Sequence, residues 1–88
     1  MENNFNLAVL TVFDKVTRRF GFPFVQVNES AGIRAFQDAM AADNNIHADD
    51  MQLCFIAEFS EATGRLSNIQ SSPKVIAEGK DIVYYEED

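Results

Sequence analysis

The sequence predicts an α+β domain, a small antiparallel β-sheet of three to five strands with one α-helix packed on one face. Three observations carry this. The first is a single well-signalled helix, opened by Asn28 and striped by Ile33, Phe36 and Met40 at the three- and four-residue spacing of one helical face. The second is a pair of apolar runs, Leu7 to Phe13 and Met51 to Phe59, whose two-residue alternation is that of strands. The third is the set of Gly, Pro, Asn, Asp and Ser clusters between them, which read as turns and loops.

Residues 1–6 are polar apart from Phe5 and are expected to fray. Leu7, Val9, Thr11 and Phe13 then alternate with Ala8, Leu10 and Val12. Both faces of this strand are largely apolar, which places it centrally, with the helix on one side and a partner or the chain's own tail on the other. Asp14 to Gly21 breaks the pattern with charge and glycine and is expected to be a loop of about eight residues, long for a compact domain and so a place to look for function. Phe22 to Val27 returns to extended backbone. Pro23 has no N–H to give to a ladder, so this segment lies at a sheet edge or leads into the helix without full pairing. Asn28 is a good N-cap, and Glu29 suits the positive end of the helix. Gly32 costs roughly 1 kcal/mol relative to Ala in a helix and marks a close approach to the sheet. Asp43, Asn44 and Asn45 supply the stop.

After a polar connection from Asn44 to Asp50, Met51 to Phe59 is the second clear strand, with Leu53, Phe55, Ala57 and Phe59 on one face and Cys54 and Ile56 on the other. Ser60 to Gly64 is a turn with Gly64 in the left-handed position, so Arg65 to Ile69 should return antiparallel. Gln70 to Pro73 interrupts. Residues 73–85, with Val75-Ile76-Ala77 and Ile82-Val83-Tyr84-Tyr85, form either a last hairpin or a strand added to a neighbouring copy, and 86–88 are expected to fray. No repeat or linker divides the 88 residues, which read as one domain. So small a core leaves the second sheet face and the edges needing cover, which predicts a dimer or larger homo-oligomer.

Composition narrows the function classes. Apolar residues at 47% and aromatics at 11% are too many for a disordered chain despite the net charge of −7. The single Cys54 forms no internal disulfide and suits a reducing cytoplasm. No apolar stretch is long enough to span a bilayer, and the first ten residues lack the charged start and cleavage site of a secretion signal, so a soluble protein with no membrane partner is expected. No nucleophile sits in a recognisable base-containing motif, and there is no Gly-rich phosphate loop or paired zinc-ligand spacing, so neither catalysis nor a cofactor nor a metal is expected. His47 beside Asp49 and Asp50 is better read as a solvated loop histidine than as a metal ligand, because a convincing site needs more ligands. Cys54, inside a strand, reads as a small buried hydrophobe.

The chemistry-bearing stretch is Lys15, Arg18 and Arg19, three of the seven basic residues within five positions, followed by Phe20 and Phe22. Single-stranded nucleic acid is held by cations that track its backbone and by aromatic faces on which bases stack. The plainer reading has the rings packed inward and the cations offsetting an acidic surface. Arg34, on the helix, either extends this positive surface or pairs with Asp38 four positions along; the pair is the weightier reading. Glu78, Asp81, Glu86, Glu87 and Asp88 load the opposite end of the chain with negative charge. The end Tyr84-Tyr85-Glu86-Glu87-Asp88 reads by default as solvation, with a lid over the basic loop or a tag for a basic partner as the alternatives.

Val12-Phe13-Asp14, the aromatic-Pro-Phe step at 22–24, Asn28, Ile33-Arg34-Ala35-Phe36 and Glu58-Phe59-Ser60-Glu61-Ala62-Thr63-Gly64 occur in the order seen in the small nonstructural protein of gokushovirus-type microviruses, single-stranded DNA phages. The resemblance covers roughly residues 8–70, with Ala57 where Gly is frequent and Ser60 where Asp is usual. It implies a phage protein of genome replication that handles single-stranded progeny DNA in the bacterial host cytoplasm, and it brings no catalytic residues. The two functions in view are non-catalytic single-stranded DNA binding through Lys15, Arg18, Arg19, Phe20, Phe22 and Arg34, and an acidic protein-interaction module that regulates a replication or capsid-assembly protein or a host factor.

Overall fold

The structure, a computed structural model, describes residues 6–42 and 47–81. In chain order it contains β1 (Asn6–Asp14), β2 (Arg19–Phe20), β3 (Phe24–Gln26), α1 (Glu29–Ala42), β4 (Met51–Ser60), β5 (Leu66–Ser67) and β6 (Lys74–Glu78), with single 3-10 turns at Ala48–Asp50 and Gly79–Asp81. This is an α+β fold with one antiparallel sheet and one helix. β1 and β4 pair along their lengths at the centre; β2 and β3 share the outer side of β1, while β5 and β6 share the outer side of β4. Among the described residues the strands number six, beyond the predicted three to five, because each flank is built from two short pieces instead of one long strand.

The helix begins as the sequence implies. Asn28 Oδ1 accepts the Ala31 N–H at 2.8 Å, satisfying one of the free donors of the first turn. α1 crosses β3, β1, β4 and β6 and sets Phe36 and Met40 into a core with Ala8, Leu10, Leu53 and Phe55. Gly32 is buried where a Cβ would collide with Leu10 Cδ1, so the close approach inferred from its cost in a helix is present. The helix extends to Ala42; the stop residues 43–45 lie outside the described residues. Among the described residues no helix is long and apolar enough to cross a membrane.

Several local expectations change once pairing partners are known. Asp14 to Gly21 is a tight hairpin rather than a long loop, because Phe13 and Asp14 find partners in Phe20 and Arg19. Asn6, expected to fray, opens β1 opposite Ser60. Pro23 precedes β3, which pairs only with β1 and stands at a sheet edge, as a residue without an N–H requires. β5 is two residues long, ending just before Asn68, whose positive φ of 48° turns the chain. Residues 74–78 pair with β4 of their own chain; Ile82 to Tyr85, like 1–5 and 86–88, lie outside the described residues.

The alternation of β4 is broken. Val9 faces Ala57 but Leu10 faces Phe55, which leaves Ile56 as the extra residue of a β-bulge. Leu53 and Phe55 keep to the helix side, opposite Val12 and Leu10, whereas Ala57 and Phe59 pair with Val9 and Leu7 on the far side. The prediction that these four share one face therefore fails at the bulge, where one inserted residue reverses the parity of all that follow.

Candidate functional site

The basic stretch is the tip and return strand of the β1–β2 hairpin. Asp14 and Arg19 pair, leaving Lys15 to Arg18 as a four-residue loop. The Arg18 N–H donates to the Asp14 carbonyl at 2.8 Å, and Asp14 Oδ1 accepts from Val16 and Thr17 N–H at 2.9 and 3.3 Å. The β4–β5 turn repeats this construction. There Gly64 N–H donates to the Ser60 carbonyl at 2.7 Å, and Ser60 Oγ accepts from Thr63 N–H at 3.2 Å. Both loops end in a left-handed residue, Gly64 with φ 73° in one and Arg18 with φ 61° in the other. Glycine reaches that region freely, whereas a side chain there costs roughly 1–2 kcal/mol. Arg18 is thus an arginine in a position that this same fold elsewhere gives to glycine. Arg18→Gly is expected to raise stability by about 0.5 kcal/mol after the larger entropy of a glycine in the unfolded chain is counted. A urea titration at fixed slope reads this gain, and a lower midpoint would contradict it.

The hairpin is braced from below. Lys15 N–H donates to the Asp50 carbonyl, Gly21 N–H to the Val12 carbonyl, and Thr11 Oγ1 to the Gly21 carbonyl, each at 2.8 Å. The Phe20 ring lies 4.5 Å from that of Phe13 at a tilt of 37°, a favourable aromatic arrangement. Phe20 remains half exposed, and Phe22 is 95% exposed. Neither ring is enclosed, contrary to the plainer reading of the sequence.

The cations divide. Lys15 Nζ stands 3.9 Å from Glu78 Oε1, while Glu78 Oε2 accepts from Gln52 Nε2 at 3.0 Å. Glu78 Oε1 is itself buried and has no hydrogen bond, so the ammonium is its main counterweight. Arg18 and Arg19 are exposed and, among the described residues, meet no carboxylate at ion-pair distance. Asp14, the cross-strand neighbour of Arg19, has one oxygen committed to the turn. Arg34 is exposed on α1 without an ion pair to Asp38. It is not brought to the hairpin's aromatic side, because α1 covers the sheet face opposite to the one that carries Phe13 and Phe20.

The remaining candidates assemble less. His47, Ala48, Asp49 and Asp50 line an open depression of about 430 Å³. Among the described residues no three His, Cys, Asp or Glu side chains gather as a metal site. Cys54 is buried, and burial first, then the Glu78 carboxylate, pushes its thiol pKa up, which disfavours the reactive thiolate. The partner of Lys15 and the ring beneath Phe20 were not legible from the sequence, since Glu78 and Phe13 reach the hairpin only through sheet register.

No curated protein and no solved structure matches the chain. A family model described as Phage ORF5 protein matches residues 7–82, spanning the sheet, the helix and the basic hairpin. The chain therefore belongs to the Phage ORF5 protein family.

Proposed function

We propose that this phage protein binds single-stranded DNA without catalysis during genome replication or packaging, in the host cytoplasm, as its resemblance to the gokushovirus-type microvirus nonstructural protein implies. The observation that carries the reading is the hairpin tip. Among the described residues Arg18 and Arg19 meet no carboxylate partner, Lys15 flanks them, and Phe22 presents an almost fully exposed ring, with Phe20 half exposed. Cations beside open aromatic faces are the usual grip on an unpaired strand, each stacked base contributing about 1–3 kcal/mol. The strain at Arg18 favours the same reading, because a left-handed arginine aims its guanidinium out of the turn at a cost in stability that function would offset.

Fluorescence anisotropy with an unstructured oligonucleotide tests this. Binding is expected to weaken with added salt, because displaced counterions supply much of the affinity. Arg18→Ala with Arg19→Ala is expected to weaken it at least tenfold while far-ultraviolet circular dichroism is unchanged. The net charge of −7 favours a second reading, a protein-interaction module acting on a replication, capsid-assembly or host protein. No binding even at low salt would reject strand binding and leave that reading.

A further inference from the structure

The helix covers only one face of the sheet. The smallest extent of the molecule is 16 Å, enough for one sheet and one helix layer, since packed layers lie about 10 Å apart. The other face is read from the register: Val9 and Phe13 of β1, Val25 of β3, Phe59 of β4, Leu66 of β5 and Val75 of β6 all fall on it. Val25 on one outer strand and Leu66 and Val75 on the other are 49%, 55% and 42% exposed, while Thr11, Cys54 and Ala57 on the central strands between them are buried, so the open apolar surface of this face lies along its two flanks. Among the strand residues on this face the one charge is Glu78, at its end, next to Lys15.

We infer that this face is the docking surface for a second copy of the chain, the two sheets packing face to face as a sandwich. Area supports it. Nine residues of β1 at about 3.4 Å each give a length of roughly 30 Å, and four strands at about 4.8 Å give a width of roughly 19 Å. The outer strands fill only part of that rectangle, β2 and β3 with two and three residues and β5 and β6 with two and five, so the footprint is roughly 500 Å² per copy and about 1,000 Å² in total, at the size that a biological interface needs. Charge supports it as well. For molecules that each carry −7, contact is least opposed through a patch nearly free of carboxylates. A twofold arrangement needs a self-complementary surface, and an apolar sheet face meets that requirement by aligned packing.

Sedimentation equilibrium on the full chain, without DNA, tests the inference separately from strand binding. The expected mass is twice 9.9 kDa at tens of micromolar, with dissociation on dilution. Val25→Lys with Val75→Lys is expected to raise the dimer dissociation constant at least tenfold. Both positions are already about half exposed in one copy, so the fold should survive, as circular dichroism would report. Gln37→Lys, which adds a charge on the exposed side of α1, should leave the mass unchanged. A monomer up to about 1 mM, or a dimer indifferent to the two lysines, would overturn the inference. A monomer that dimerises only after residues 82–88 are deleted would also overturn it, by showing that the chain's own end occupies the face.

Discussion

Gly79→Ala is expected to lower stability by about 3 kcal/mol, near the upper end for an added methyl in a packed site. For a domain of this size that corresponds to a fall in melting temperature of roughly 15 °C. Gly79 is buried at the start of the last 3-10 turn, and a Cβ there would run into the backbone carbonyl of Ala48, with the Met51 carbonyl also close. A side chain in the way can rotate, whereas a backbone carbonyl moves only if its turn moves. The damage should spread, because Glu78 carries the hydrogen bond from Gln52 and faces Lys15, and the neighbouring Asp50 carbonyl holds the Lys15 N–H. Gly21→Ala is the control. Its added methyl would meet only the Val12 carbonyl at 3.7 Å, an ordinary contact, and the change should stay within about 1 kcal/mol. Thermal melts of the two variants side by side check the contrast, and equal losses would show that the Gly79 turn gives way.

Leu10→Ala is expected to cost about 3–4 kcal/mol, as for other fully buried leucines. Leu10 is 0% exposed and lies under Gly32, which offers no side chain to fill the space left behind. Gly32→Ala alone should cost about 1–2 kcal/mol: the helix gains roughly 1 kcal/mol in propensity, and the collision with Leu10 in a filled core outweighs it. The double variant removes the collision and places a methyl near the vacated volume. Its loss should therefore fall short of the sum of the single losses by about 1 kcal/mol or more. Denaturant titrations of all four proteins give the coupling, and strict additivity would mean that α1 and β1 are not in contact at this point.

The elements read correctly from the sequence are those whose cause lies within a few residues. Asn28 caps its helix through a bond to Ala31, three positions away. Gly64 takes the left-handed end of a loop closed by Ser60 and Arg65. The alternation of β1 identified a central strand with two apolar faces, and one of those faces is indeed left without cover by the helix. Where reading by alternation failed, the cause was a partner. The bulge at Ile56 becomes visible only when β4 is laid against β1, and it carries Ala57 and Phe59 to the open face.

The basic hairpin shows the same division. Its residue types announced cations beside aromatic rings, but whether those groups were free was a matter of distant neighbours. Glu78, sixty-three positions beyond Lys15, takes one cation. Asp14 spends a carboxylate oxygen on the turn instead of on Arg19. Fold class, the helix with its cap, and the glycine turn were determined by the chain alone, because propensity, capping and alternation act between near neighbours. Strand pairing, face assignment, the exposure of Arg18, Arg19 and Phe22, and the apolar face opposite the helix were decided by the tertiary structure, because burial and register exist only once segments remote in sequence are brought together.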